Sequence, residues 1–128
     1  MIVTDERVRR FVADRLGEAE LYPPLTCMGI EKDGKIVAGA VFNCFTGYDC
    51  HFSIAADPGA ITRSYLREMG RYVRDQLECG RVTFITEQPF VVDLAKRLGA
   101  EVEGRLRNHY GEGRDATVLG LLKEDWRF

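Results

Sequence analysis

Apolar positions in the first stretch fall at Val8, Phe11, Val12 and Leu16, a helical spacing, with Thr4 as candidate cap and Gly17 as stop. Leu21–Leu25 holds Pro23-Pro24 and reads as a loop. Cys27–Lys32 then reads as a strand, Asp33-Gly34 as a tight hairpin turn, and Lys35–Phe45 as a long apolar run buried on both faces of a sheet. Thr46-Gly47 turns the chain into Tyr48–Ala55, where residues alternate with the period of a strand. After the short turn Ala56–Ala60, Leu66, Met69, Val73 and Leu77 mark a helix from about Thr62 to Leu77, and Arg81–Thr86 is again a strand. Pro89 suits the first turn of a helix over Phe90–Leu98, which Gly99 ends. Ala100–Arg107 and Ala116–Lys123 read as two last strands joined by a polar loop, Asn108–Asp115. The order α–β–β–β–α–β–α–β–β predicts a single mixed α/β domain. Its sheet is mostly antiparallel, with one parallel crossover and helices on both faces.

Gly70 interrupts the second of these helices at a cost of about 1 kcal/mol relative to Ala, which close approach to the sheet would explain. The segment 48–86 carries the strongest functional signal. A strand that breaks into a loop and opens a helix leaves unpaired N–H groups at the positive end of the helix dipole, a ready anion site.

Bulk properties narrow the classes. The chain has 128 residues and a net charge of −2, which predicts neither a nucleic-acid partner nor a membrane surface. Arginine outnumbers lysine 14 to 4, a bias that suits bidentate grip of phosphate or carboxylate. The four cysteines, Cys27, Cys44, Cys50 and Cys79, lack metal-cluster spacing, and only two histidines accompany them. They read as free thiols in a reducing cytosol, with no metal site. The charged start Met1–Arg10 does not resemble a secretion signal, and no apolar stretch reaches membrane-spanning length, so the expectation is a cytoplasmic protein.

Strand alternation puts Asp49, His51 and Ser53 on one face. His51 is a candidate general base, held by Asp49 or working through water, and Ser53 a candidate contact for a carbonyl or water. Glu31, on a strand beside the expected cleft, is a second base candidate. Arg63 lies close enough to the helix start to reach a phosphate, whereas Arg67, Arg71 and Arg74 read as a solvated face. His109 and Tyr110 read as an exposed turn, with a place near a substrate as the alternative. Cys50 and Cys79 would need an adjacent base to act as nucleophiles. The terminal Trp126 and Phe128 would pack either on the chain's own sheet or on a second subunit.

Val41-Phe42-Asn43, Phe45, Gly47, Ile54-Ala55, Ile61-Thr62-Arg63, Leu66, Gln76-Leu77, Arg81-Val82-Thr83, Leu98-Gly99 and Leu119–Leu122 follow one another in an order and spacing that resembles the GNAT N-acetyltransferases, and among them small phage and prophage proteins. The resemblance covers roughly residues 26–123. It implies the GNAT fold, acetyl-CoA as acyl donor, transfer of acetyl to a primary amine without a covalent enzyme intermediate, and a homodimer. The pantetheine arm would lie along Phe52, Ile54, Ala55 and Ala56. The pyrophosphate would lie on Gly59, Ala60, Ile61, Thr62 and Arg63. His51, Ser53 and Glu31 are the catalytic candidates. The chain departs from the family pattern in having Asp57 and Pro58 in the pyrophosphate loop and Leu94 where an aromatic acid often stands. The alternative reading is a GNAT-fold module that binds acyl-CoA, or pairs with itself in a mobile element, without turnover.

Overall fold

A computed structural model describes residues 1–17 and 21–128. One seven-stranded sheet runs through the molecule in the order β1-β2-β3-β4-β5-β7-β6. The strands are β1 (Ile2–Val3), β2 (Thr26–Lys32), β3 (Lys35–Asn43), β4 (Asp49–Ala56), β5 (Arg81–Thr86), β6 (Glu101–Gly111) and β7 (Arg114–Leu122). The helices are α1 (Glu6–Leu16), α2 (Arg63–Arg71, continued by a wider turn over Tyr72–Gln76) and α3 (Pro89–Leu98). Among the described residues only β4 and β5 pair in parallel; the other adjacent strands are antiparallel.

Helices cover both faces, as the pattern predicts. On one face Val8 and Val12 of α1 pack on Cys27 and Val41. On the other, Leu66, Met69 and Val73 from the second helix and Leu94 and Leu98 from α3 close over Phe42, Phe52, Phe84 and Leu119. The hairpin turn at Asp33-Gly34 has both residues at positive φ (53° and 78°), the geometry that matches strand twist.

Several elements differ from the sequence reading. Asp5, not Thr4, caps α1: its extended backbone lets the carboxylate accept from the Arg7 N–H at 3.0 Å. The guanidinium of Arg7 also grips it, holding the Asp5 carboxyl down at about 2. β1 was not foreseen, because a pair of residues carries no period. β3 stops at Asn43 rather than Phe45, since Cys44 turns to φ 53°. The expected loop Asn108–Asp115 shrinks to a turn, because β6 and β7 run on to Gly111 and back from Arg114. Register shifts between Val102 and Gly104, and between Leu106 and Gly111, break the period of two that would have revealed the longer strand.

Gly70 faces the C-terminal tail, not the sheet. A Cβ there would lie 2.5 Å from Trp126 Nε1, and the same indole N–H donates to the Leu66 carbonyl at 3.1 Å. The Arg127 N–H donates to the Leu98 carbonyl at 3.0 Å. The tail therefore packs on the α2 and α3 helices of its own chain. Gly70→Ala should gain about 1 kcal/mol of helix propensity and lose more by overpacking, typically about 1–3 kcal/mol. The expected result is a lower urea midpoint with red-shifted tryptophan emission; an unshifted spectrum with higher stability would show that the tail does not hold this position.

Candidate functional site

β4 and β5 pair over three positions, Asp49 with Arg81, Cys50 with Val82 and His51 with Thr83, and then part. β4 continues to Ala56 against β3 alone, while β5 continues to Thr86 against β7. The direction of the peptide groups follows from the alternation. The Tyr48 carbonyl accepts from Gly80 and Arg81 on the β5 side, and the Asp57 N–H donates to Val37 on the β3 side. A period of two then aims the C=O of Phe52 and the N–H and C=O groups of Ile54 and Ala56 into the gap that β5 has left, the Phe52 N–H closing the last pairing with Thr83. An extended, amide-bearing ligand can complete this edge as a strand would.

Beyond β4 the chain turns at Asp57–Ala60 into α2. Thr62 caps the helix, its hydroxyl accepting from the Tyr65 N–H at 3.1 Å. Arg63 and Ser64 are the first two helical residues, and no carbonyl of their own helix can reach their N–H groups. Of the loop amides expected to meet a phosphate, that of Ala60 is spent inside the turn, donating to the Asp57 carbonyl at 3.1 Å. The Asp57 carboxylate accepts from Arg15 of α1 at 2.6 Å. The Arg63 guanidinium lies 5.5 Å from the centre of the Phe128 ring, a tether near the helix start.

A cleft opens at the parting of the strands. Phe52, Ser53 and Ile54 line one wall, and Ile85 and Thr86 with the following Glu87 and Gln88 line the other. Val91 of α3 floors it, Tyr110 and Arg114 reach in from the β6–β7 hairpin, and Leu16 and Leu21 flank the mouth. Tyr110 thus lies on a strand and in the cleft, not in an exposed turn, and its hydroxyl donates to the Ile85 carbonyl at 3.0 Å. Arg114 makes a two-pronged ion pair with Glu87, which holds the Glu87 carboxyl below its ordinary range.

The sequence candidates separate. Ser53 lines the cleft. His51 is buried on the same face of β4, outside the lining, and Asp49 accepts from the Thr83 hydroxyl at 2.8 and 3.0 Å and lies 3.6 Å from Arg81 Nε. Glu31 sits two strands away and accepts from Arg7 at 2.7 Å. Leu94 is a core residue, 2% exposed, rather than a gap in the site. Cys50 is fully buried; burial first, and the neighbouring Cys79 second, push its thiol far above its usual range, so it is no nucleophile. Glu87 and Arg114 were not among the sequence candidates, because 27 positions of chain, holding α3 and β6, separate them. No helix among the described residues is long and apolar enough to cross a membrane.

No family model and no curated protein sequence matches the chain. Solved structures do. A GNAT-family acetyltransferase of Streptococcus pneumoniae superposes with a TM-score of 0.73 at 12% identity, covering 95% of this chain and 98% of that one. A mutant form of the spermidine N-acetyltransferase SpeG of Vibrio cholerae superposes with a TM-score of 0.69 at 15% identity, covering 97% and 94%. The expected architecture therefore holds: this chain has the GNAT fold.

Proposed function

We infer that this protein transfers an acetyl group from acetyl-CoA to a primary amine. The observation that carries the reading is the parting of β4 from β5 directly ahead of a capped helix start. That arrangement offers peptide groups to a pantetheine arm and N–H groups to a pyrophosphate in one continuous track. The fit is chemical as well as geometric. Phe52, Ile54 and Ala56 alternate donors and acceptors along the gap. Ile61, Thr62 and Arg63, with Gly59 in the turn, surround the start of α2. The solved GNAT acetyltransferases of the same fold support the assignment of the donor.

The donor supplies an activated thioester, and the chain supplies position and proton transfer. Ser53 faces the cleft at the parting point, where its hydroxyl would orient the thioester carbonyl or a water that accepts the amine proton. His51, on the same face of β4, is the imidazole that would take that proton onward through water. Glu87 is held ionised by Arg114, which makes it a weak base and a suitable anchor for an incoming ammonium. Tyr110 reaches into the cleft and is the group that would return a proton to the departing thiolate, a role that Leu94 cannot fill. The nitrogen forms its bond to the carbonyl carbon, the carbon–sulfur bond breaks, and the phenol returns a proton to sulfur. The tail's hold on α2 and α3 of its own chain leaves homodimerisation to other surfaces. A cytoplasmic location is consistent with the free thiols.

Calorimetric titration with CoA and acetyl-CoA, followed by a thiol-release assay over a panel of amines, tests this reading. Micromolar binding with amine-dependent release supports it. Binding without release for any amine would leave a CoA-binding module. No binding at millimolar ligand would end the acyltransferase reading.

A further inference from the structure

An acidic residue in a phosphate loop is a contradiction that the fold has to resolve. β4 alternation carries on into the loop, so Asp57 continues the row of Asp49, His51 and Ser53 and projects toward α1. Its backbone is anchored at both ends: the N–H donates to Val37 at 2.8 Å, and the carbonyl accepts from Ala60 at 3.1 Å. Its carboxylate meets Arg15 Nη2 at 2.6 Å. Arg15 is itself set by its own helix, with its guanidinium 4.4 Å from the centre of the Phe11 ring one turn back. It also stands in the last turn of α1, where the helix dipole favours a cation.

We propose that Arg15 is a positioning residue for the cofactor. It neutralises Asp57 and turns it away, so that the Gly59–Arg63 track presents N–H groups without an opposing charge. This rests on the acyl-CoA reading above. Both partners are about half exposed, so the pair contributes little to folding and its effect falls on the ligand. A carboxylate left without its partner beside a bound pyrophosphate would repel it, with an expected loss of affinity of about 10-fold.

The experiment is calorimetric titration of wild type, Arg15→Gln and Arg15→Gln/Asp57→Asn with CoA and with acetyl-pantetheine, which lacks phosphates. The proposal requires that Arg15→Gln bind CoA about 10-fold more weakly than wild type, and acetyl-pantetheine as wild type does. It also requires that adding Asp57→Asn recover CoA affinity to within about twofold, and that the deficit shrink in high salt. If Arg15→Gln binds CoA like wild type, Arg15 has no such role. If the double variant stays as weak as the single one, Arg15 touches the phosphate itself and the neutralisation account fails. If wild type binds no CoA, both this proposal and the acyl-CoA reading fall, an outcome distinct from the other two.

Discussion

Replacing Tyr110 by phenylalanine is expected to lower kcat for acetyl transfer about 100-fold, the lower end of what a positioned general acid contributes. The KM for acetyl-CoA should stay within about twofold, because the phenol acts on the departing sulfur rather than on the bound arm. The reason lies in the placement. Tyr110 comes from β6, but its hydroxyl is fixed at the Ile85 carbonyl, just past the point where β5 leaves β4. An ordinary phenol titrates near 10 and an ordinary thiol near 8.5, so full proton return to the thiolate is uphill by about 2 kcal/mol, small enough for the phenol to assist as the carbon–sulfur bond breaks. Loss of the hydroxyl costs about 1 kcal/mol of hydrogen bonding, too little to unfold the chain, and a thermal melt on the same sample separates the two effects. An unchanged kcat would remove Tyr110 from the chemistry and leave sulfur to be protonated by water.

Truncating Phe52 to alanine should destabilise the fold by about 3–5 kcal/mol, a large share of the roughly 5–15 kcal/mol that holds a domain together. Phe52 is 1% exposed and sits edge-on to Phe42, with ring centres 5.0 Å apart, and tilted against Phe84 at 4.8 Å. It is also the first residue of β4 past its last pairing with β5. The ring therefore fills the core at the point where backbone pairing ceases. Urea titration of Phe52→Ala and Phe52→Leu gives the comparison. The leucine variant, closer in volume, should lose about 1.5 kcal/mol or less and retain CoA binding. Equal losses from both would mean that aromatic contacts, rather than filled volume, hold the core there.

Strand β5 and the turn at Asp33-Gly34 were legible residue by residue, and so was the helix that Pro89 opens and Gly99 closes. Each is specified by neighbours in sequence: alternation on a pleat, two residues able to take positive φ, a proline that needs no N–H. The strand, turn and capped helix from Phe52 to Arg63 were legible for the same reason, since they are consecutive. The strand β6 was misjudged in length, because its bulges erase the period on which the reading depends. Tyr110 was consequently placed in a turn, and Leu94 was weighed as a missing acid although it is core.

What the sequence determined by itself is the architecture and the strand–turn–helix run that leads from β4 into α2, because propensity, period and turn chemistry act over a few residues. The tertiary structure alone decided which polar groups share the cleft. Glu87 meets Arg114 across 27 positions, Tyr110 meets Ile85 across 25, and Arg15 pairs with Asp57 across 42. Those meetings depend on where two parallel strands stop pairing, on how far a hairpin runs back, and on which face of β4 a helix lies across. They are set by the packing of the whole sheet, and no local pattern encodes them.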